Sequence, residues 1–304
     1  MEQNKTVYIV NSDDAGNRID SFLAEYTGRS RASVQKSIEA GEILLNDAET
    51  KSNAKLKEGD KIDISEEEKV SEEILPEDIP LDIVYEDDDV LVINKPRGMV
   101  VHPAPGHYSG TVVNALLYRY KDGLSDLNGD DRPGIVHRID ADTTGLIVCT
   151  KNNKAHEAMA KQLEAHTMTR RYEAICYNSF TEKEGTVNKR IARGDSDRKR
   201  MVISPKGKEA VTHYRVLENI GNFAHIECVL ETGRTHQIRV HMKSIGHPLL
   251  GDKIYTNAKA PFNTDGQMLH AGVLGFKHPT TGEYMEFKAD LPDDFKRALR
   301  LLRQ

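Results

Sequence analysis

The sequence predicts a protein of the α+β class, in which a small N-terminal unit is joined to a larger domain built on a mostly antiparallel sheet flanked by helices. Three observations support this fold class. A chain of 304 residues is long enough for two domains. An acidic stretch without hydrophobic periodicity separates two regions of different composition. After that stretch, strand-like runs outnumber helical ones.

The first unit is predicted to cover residues 16–65. Ile19, Phe22, Leu23 and Tyr26 have the spacing of one helix face, and SRASVQKSIEAG gives a second helix. Short strands are expected at EILLN and DKIDIS. About fifty residues is a marginal size for a hydrophobic core, so we expect the unit to serve in binding. Its candidate phosphate contacts, which spacing alone does not distinguish from ordinary surface cations, are Arg29, Arg31, Lys36, Lys51, Lys55 and Lys57.

Residues 66–80 are predicted to be a linker, because they are rich in acids, carry prolines at positions 76 and 80 and show no periodicity. The larger domain is expected at residues 81–304. Its strand-like runs are VLVIN, GLIVCT, YEAICY, HYRVLENI, AHIECVLE, QIRVHM and MEFKAD. Its helical stretches are TVVNALLYRY, NKAHEAMAKQLEAH and DDFKRALRLLR.

The charge is distributed unevenly along the chain. The net charge is −6, but residues 66–89 hold twelve acids and one lysine, so the remainder is net positive. Residues 170–208 contain eleven Lys and Arg residues against five acids. A local basic region fits a polyanionic ligand despite the negative total, because the local field steers association. A solvated surface is the alternative interpretation.

Several classes of protein are not indicated. No apolar run reaches the roughly 20 residues of a membrane span, and the first residues lack the apolar core of a signal peptide. We therefore expect a cytoplasmic protein. Cys149, Cys176 and Cys228 are scattered and odd in number, so neither a disulfide framework nor a zinc site is predicted, and we expect buried thiols.

The stretch GIVHRIDADTTGLIVCT, at residues 134–150, combines charge with a buried strand. A carboxylate at Asp140, beside Arg138, is costly against such a strand unless it is paired. Pairing with a cation keeps a carboxylate ionised, and an ionised, partly desolvated Asp can act as a nucleophile or a base. A local ion pair or turn is the alternative. For Asp140 both interpretations stay open, whereas for Asp142 we favour the turn.

The same stretch carries a resemblance to a known family. HRIDADTTGLIVCTKN resembles the motif HRLDxxTSGLLLxAK of the RluA family of pseudouridine synthases, from which it departs at Ile139 and Thr144. Further similar segments follow in the family's order: NKPRGMVVHPAPGHYSGTVVNAL, RRYEAICYN, LETGRTHQIRVHMKSIGHPLLGDKIY and LHAGVLGFKHP. VVHP and LLGDKIY are most similar to the RluD-like subgroup, which acts on large-subunit ribosomal RNA. The first unit resembles an S4 RNA-binding domain.

The resemblance implies that uridine in RNA is isomerised to pseudouridine on a pseudouridine synthase fold. The C1′–N1 bond breaks, the uracil turns in place, and C5 bonds to C1′, without metal or cofactor. Motif by motif, the resemblance assigns the essential carboxylate to Asp140, the ring stacked on the flipped uracil to Tyr172, and the cation holding the carboxylate to Arg234. Arg138 would contact the RNA backbone. Whether the Asp attacks C1′, adds to C6 or removes the C2′ proton stays open.

Other polar residues near these motifs are candidate supports or RNA contacts. Lys95 and Lys151 would support the pocket or bind RNA, and the segment with Arg198, Lys199 and Arg200 would form a loop over RNA. In an unbroken strand, residues five apart face opposite sides. On that basis Arg234 is expected to point into the cleft while Arg239 has a different role, and His236 and His241 are not expected to share a metal.

Two alternatives to a uridine isomerase remain. The chain could be a non-catalytic, ribosome-associated RNA-binding or assembly protein, which the S4-like unit and the basic segment would serve. It could also be an RNA N-glycosidase that cuts the same bond and releases the base. In each case the expected partner is RNA, possibly in a ribosomal subunit or assembly intermediate. A monomer is expected, because the sequence has no heptad pattern.

Overall fold

The structure is a computed structural model that describes residues 4–28, 31–66, 74–104, 107–121, 123–129, 132–194, 197 and 200–304. It divides into two compact units, Met1–Glu73 and Ile74–Gln304. Three of the predicted RNA contacts, Arg29, Arg198 and Lys199, lie outside the described residues.

The first unit packs two helices on a small antiparallel sheet. Its elements are β1 (Asn4–Ile9), α1 (Ile19–Thr27), α2 (Arg31–Glu39), β2 (Ile43–Leu45), β3 (Ala48–Glu49) and β4 (Lys61–Glu66). The strand order is β1-β4-β2-β3. The helical face predicted from spacing is inside, since Ile19, Phe22 and Leu23 are buried in one cluster with Ile62 and Ile64 of β4. Strand β1 precedes residue 16, so the sheet begins earlier than the sequence predicted.

The second unit is built on a nine-stranded sheet with four helices among its described residues. Its strands in that sheet are β5 (Ile83–Glu86), β6 (Val90–Lys95), β7 (Thr144–Thr150), β8 (Thr169–Tyr177), β9 (Glu184–Asn188), β12 (Val211–Ile220), β13 (Phe223–Leu230), β14 (Leu269–Lys277) and β15 (Tyr284–Lys288), and a separate hairpin is formed by β10 (Ile191–Arg193) and β11 (Met201–Ile203). The helices are α3 (Val112–Tyr120), α4 (Asn153–Glu164), α5 (Gln237–Ser244) and α6 (Asp293–Leu302).

The sheet is mostly antiparallel, as the sequence predicted. Its order is β5-β6-β7-β14-β8-β13-β12-β9, with β15 paired to β14. Among the described strands, the pairing of β7 with β14 is parallel, and every other pairing in this sheet is antiparallel. The α+β class is therefore confirmed.

Strand β7 lies near the middle of this sheet and is buried along its whole length. Gly145, near its start, pairs with Ala271 of β14. Its φ is +108°, and a Cβ atom here would lie 2.3 Å from the Ala271 carbonyl oxygen. Only glycine allows the two backbones to approach this closely. Asp140 precedes β7 by a few residues. The close approach of β7 to β14 therefore fixes the position of the strand that follows this carboxylate.

The segment QIRVHM is a helix, so the prediction of a strand there is wrong. Its apolar residues Ile238, Val240 and Met242 alternate with polar ones, which is the pattern of a half-buried strand. In α5, however, Gln237, Arg239 and His241 are buried too. Each has polar partners, such as the Val211 carbonyl for Gln237 and the Thr212 hydroxyl for His241. The alternation of apolar and polar residues therefore does not correspond to a buried and an exposed face in this segment.

Residues 74–80 were predicted to belong to the linker, but they lie in the second unit and pack against its helix α3. The Asn114 side chain donates a 2.8 Å hydrogen bond to the Leu75 carbonyl oxygen, and the Glu77 carboxylate accepts from the Gly110 backbone N–H at 3.0 Å. Asn114 also forms a capping box with Thr111 at the start of α3. This end of the predicted linker is thus held against a helix N-terminus.

Candidate active site

A cleft of about 640 Å³ opens in the second unit. That volume lies within the range of small-ligand sites, which is roughly 300–1,000 Å³. Four residues singled out from the sequence line it, namely Arg138, Asp140, Tyr172 and Arg234. They come from the segment before β7, from β8 and from the loop before α5, which are far apart in the chain.

The carboxylate of Asp140 is held by a buried arginine. Arg239 Nη1 donates to Asp140 Oδ2 at 2.9 Å, while Nε and Nη2 of the same guanidinium donate to the two oxygens of Asp252 at 2.7 and 2.9 Å. The Asp140 side chain keeps 18% of its exposure, whereas Asp252 is fully enclosed. Burial favours the neutral form of Asp252, but its bonds to Arg239 outweigh burial and hold its pKa below the ordinary value.

The predicted partner of Asp140 was Arg234, and this prediction is wrong. Arg234 donates through Nε to the Glu209 carbonyl oxygen at 2.8 Å, and its backbone N–H donates to Gln237 Oε1 at 2.9 Å. Its side chain lines the cleft without an ion pair to Asp140 among the described contacts. The reason is the helical conformation of α5, whose first turn directs Arg239, rather than Arg234, to the carboxylate.

His236 also faces Asp140, although sequence reasoning considered it only as a metal ligand. Its Nε2 lies 3.9 Å from Asp140 Oδ1, and its Nδ1 lies 2.8 Å from the hydroxyl of Tyr255. Burial is the main cause that lowers the pKa of His236, and the charge of Asp140 offsets part of this effect. His236 and Tyr255 both lie in the motif TGRTHQIRVHMKSIGHPLLGDKIY, which was the available signal for them.

Tyr172 lies on β8 opposite Cys228 of β13, and only 8% of it is exposed, within the cleft lining. Burial raises the pKa of its hydroxyl, which therefore stays protonated at neutral pH. The neighbouring Arg170, which the sequence analysis did not single out, is also buried in the lining and donates to the Glu231 carbonyl oxygen at 2.7 Å. Its guanidinium passes so close to Gly233 that a Cβ there would lie 2.5 Å from Nη1.

The remaining residues of the HRID motif point in different directions. The Val148 backbone N–H donates to Nε2 of His137 at 3.0 Å, and burial lowers the pKa of this imidazole to about 3. Arg138 is exposed at the cleft and donates to His102 Nε2 at 3.1 Å. Ile139 is buried in the core that underlies the cleft. The contact of His137 thus joins the motif to β7, whereas Arg138 lies at the cleft.

Lys95 and Lys151 were predicted to support the pocket or to bind RNA, and both make contacts within the protein. Lys95 is buried, and its Nζ donates to the carbonyl oxygens of Pro96, Met99 and Ala141, each at 2.8 Å. Burial lowers its pKa to about 7, an effect that the nearby carboxylates of Asp140 and Asp142 oppose. Lys95 therefore supports the loop beside Asp140, which is one of its two predicted roles.

Lys151 lies at the other end of β7, away from Asp140, where its Nζ donates to the Asp87 carbonyl oxygen at 2.6 Å and to Glu86 at 3.2 Å. Arg200, the described member of the predicted RNA loop, donates to the Ile254 carbonyl oxygen. Its guanidinium also lies over the Tyr255 ring, 5.9 Å from the centroid. These contacts hold both side chains within the protein.

In the first unit, Arg31 is half exposed and donates to Asp20 through Nε at 3.1 Å. Arg18 donates to the same buried carboxylate at 2.9 and 3.0 Å. The hydrogen bond from Arg18 is the main cause that lowers the pKa of Asp20. The lysines of this unit that the sequence singled out are exposed: Lys36, Lys51, Lys55 and Lys57.

Within the described ranges, no group of three or more His, Cys, Asp or Glu side chains is arranged to hold a metal ion. None of the described helices has the length and apolar character that crossing a membrane requires.

The cleft brings together the side chains that a chemical reaction on a bound ring requires. One carboxylate oxygen is anchored by a guanidinium, the other faces an imidazole and open space, and an aromatic ring and an exposed arginine line the same cleft. This arrangement suits acid–base or nucleophilic chemistry on a flat ring carried by a polyanion.

Comparison with known proteins gives the family. A model described as RNA pseudouridylate synthase matches residues 89–244. The chain is 50% identical over 288 residues to an uncharacterized RNA pseudouridine synthase of Bacillus subtilis, covering 94% of each. It is 45% identical to the ribosomal large subunit pseudouridine synthase D of Haemophilus influenzae, covering 97% of this chain and 94% of that one.

The solved structure of human RNA pseudouridylate synthase domain containing 4 aligns with a TM-score of 0.58 and 25% identity, over 73% of this chain and 92% of that one. The chain therefore belongs to the RNA pseudouridine synthase family, and it isomerises uridine in RNA to pseudouridine.

Proposed function

We propose that the chain modifies specific uridines of large-subunit ribosomal RNA and that Asp140 is its essential carboxylate. The observation that carries the proposal is the single hydrogen bond from Arg239 to Asp140, which leaves Oδ1 facing the cleft beside Tyr172. The substrate is supported by relatives of similar length that are named for the large ribosomal subunit. Such a substrate fits a cytoplasmic protein, and we propose that it acts as a monomer.

The target uridine has to leave its stack to reach the cleft. Flipping a nucleotide costs a few kcal/mol, and stacking on an aromatic side chain offsets part of that cost. Tyr172 offers the ring, while Arg138, exposed at the cleft, offers a guanidinium to the RNA backbone. The apolar lining from Ile139, Leu230 and Leu269 limits water around the separated uracil, so the base stays in place while it turns.

The contacts of Asp140 support Oδ1 as the reacting atom and leave the three chemical roles open. Oδ2 accepts a hydrogen bond from Arg239 and is directed into the protein. Among the residues that the structure describes, Oδ1 has no charged partner within hydrogen-bond distance, since Nε2 of His236 is 3.9 Å away. We infer that Oδ1 attacks C1′, adds to C6 or removes the C2′ proton.

The test uses ribosomal RNA from cells that lack this protein. It is incubated with the wild-type chain, with Asp140→Asn and with the matched control Asp142→Asn, and pseudouridine is mapped by carbodiimide labelling and primer extension. New stops with the wild type and the control, and none with Asp140→Asn, are expected. RNA binding and the melting temperature of Asp140→Asn should match the wild type. Product from Asp140→Asn would refute the assignment, and free uracil would indicate a glycosidase.

We further propose that the first unit is an S4-like RNA-binding domain. Its exposed lysines, Lys36, Lys51, Lys55 and Lys57, support this role. Each phosphate contact contributes roughly 0.7–0.9 to the slope of log K against log salt concentration. Changing all four lysines to Gln should therefore reduce the slope by up to about 3, while kcat on saturating RNA is unchanged. An unchanged slope would contradict the proposal.

A further inference from the structure

The hydroxyl of Tyr255 connects the cleft to the β10–β11 hairpin. The Met201 backbone N–H, at the start of β11, donates to Tyr255 Oη at 2.9 Å, and Nδ1 of His236 lies 2.8 Å from the same oxygen. The rings of His236 and Tyr255 meet edge to face, with centroids 5.6 Å apart. The guanidinium of Arg239, which holds Asp140, lies over the Tyr255 ring at 5.1 Å. Tyr255 itself is buried, so these contacts are fixed.

The contacts of Tyr255 favour one arrangement of the hydrogen atoms. A backbone N–H can only donate, so the Met201 contact uses Tyr255 Oη as an acceptor. The hydroxyl has one hydrogen of its own, which is then available to His236 Nδ1. A neutral imidazole that accepts at Nδ1 carries its hydrogen on Nε2. Burial favours the neutral ring, in agreement with the lowered pKa of His236.

The Nε2–H of His236 is therefore directed toward Asp140. The distance from Nε2 to Asp140 Oδ1 is 3.9 Å, which is too long for a direct hydrogen bond. An acceptor oxygen of a ligand in the cleft could take the hydrogen bond from Nε2–H beside Asp140. The backbone of His236 is left-handed, with φ 55° and ψ 22°, and its side chain makes no capping bond to α5. A non-glycine residue in this conformation costs about 1 kcal/mol or more, and such residues are found preferentially at functional sites.

We propose that Tyr255 is a positioning residue for the isomerisation, because it fixes the tautomer of His236 whose Nε2–H donates a hydrogen bond to a carbonyl oxygen of the reacting uracil. When the C1′–N1 bond breaks, its electron pair leaves with the uracil, and the carbonyl oxygens carry part of the negative charge. A donor aimed at one of them stabilises that charge, and no proton needs to be transferred. The inference rests on the proposed function, since it places the uracil beside Asp140.

The first test is Tyr255→Phe, which keeps the ring beneath Arg239 and removes the hydroxyl. Loss of a group that sets a histidine tautomer typically lowers activity about 10- to 100-fold. We expect kcat for pseudouridine formation to fall within that range, while KM for the RNA stays unchanged. Tyr177→Phe is the control, because it removes a hydroxyl bond to the Ala258 carbonyl oxygen, outside the cleft lining. Wild-type kcat in Tyr255→Phe would overturn the inference.

The second test replaces His236. Gln places an amide N–H near the position of Nε2, whereas Asn reaches only the position of Nδ1. His236→Gln should therefore retain more activity than His236→Asn or His236→Ala. In the His236→Gln background, Tyr255→Phe should have no further effect on kcat, because glutamine has no tautomer to fix. An equal loss in both backgrounds would mean that Tyr255 acts only on the fold.

This series also separates the inference from the function on which it rests. Wild-type product together with inactive Asp140→Asn establishes the function in the same assay. If Tyr255→Phe does not fold, as judged by its melting temperature, the comparison of Gln with Asn at position 236 decides the question alone. Equal activity of those two variants would refute the role of the Nε2–H.

Discussion

Replacement of Arg239 by Met tests the central ion pair, because it removes three hydrogen bonds at once and leaves two carboxylates facing each other. Arg239 and Asp252 are both buried, so the change leaves the charge of Asp252 buried without its cation. Breaking a buried ion pair on one side costs about 3–5 kcal/mol. In a unit of this size, each kcal/mol corresponds to about 2–4 °C in melting temperature. We therefore expect Arg239→Met to lower the Tm by about 6–20 °C.

The effect on catalysis follows from one of the three hydrogen bonds. A hydrogen bond to a charged group contributes about 1.5–3 kcal/mol. Loss of the bond from Arg239 to Asp140 releases the carboxylate from its fixed orientation, which corresponds to a roughly 10- to 150-fold fall in kcat. The assay is pseudouridine formation under single-turnover conditions, at a temperature at which the variant is folded.

A second substitution separates stability from activity. In Arg239→Met with Asp252→Asn, the buried uncompensated charge is removed, so most of the lost Tm should return while kcat stays low. Arg234→Met is the matched control, because Arg234 is a cleft arginine that bonds to a carbonyl oxygen instead of Asp140. Recovery of kcat in the double variant, or a larger loss of Tm in the control than in Arg239→Met, would refute the reasoning.

Three further predictions concern the surroundings of Asp140. Tyr172→Phe should keep most of the activity, whereas Tyr172→Ala should lose about 5- to 150-fold, because stacking of a base on an aromatic ring contributes roughly 1–3 kcal/mol; equal losses in kcat would argue against stacking. The folded pKa of Lys95, about 7, lies below its ordinary value, so the unfolded chain binds more protons between these two pKa values. This lysine should therefore make the free energy of unfolding rise from about pH 7 to about pH 10, and urea titrations of Lys95→Met should lack that contribution. Gly145→Ala should lower the free energy of unfolding by about 2–5 kcal/mol, since its Cβ would lie 2.3 Å from the Ala271 carbonyl oxygen; an unchanged urea midpoint would contradict the close approach.

The sequence was sufficient where local patterns decide the structure. Helix α1 follows from the spacing of its apolar residues, and the pairing of Asp140 with a cation follows from the cost of a carboxylate beside a buried strand. Resemblance to the family added Tyr172, which is found in the cleft lining. Each of these inferences depends on a short segment of the chain.

The sequence failed where a distant contact decides the structure. Arg239 lies 99 residues from Asp140 in the chain, and no spacing rule joins them. Lysine is usually found on the surface of proteins. Lys95 can be buried only because three carbonyl oxygens, one of them from Ala141, converge on its Nζ. In α5 the polar residues are buried together with the apolar ones. The alternating hydrophobic pattern therefore predicted a strand where the chain forms a helix.

The way in which Arg239 divides its hydrogen bonds shows how the carboxylate proposed to react can be anchored through one oxygen and free at the other. Two of the three bonds form a fork on Asp252, which the Ile254 and Tyr255 backbone N–H groups also stabilise at 2.9 and 3.1 Å. Asp252 is thereby fully satisfied and acts as a fixed support for the guanidinium. Asp140 receives the single remaining bond, on one oxygen. A lysine at position 239, which lacks the planar fork, could not hold both carboxylates in these positions.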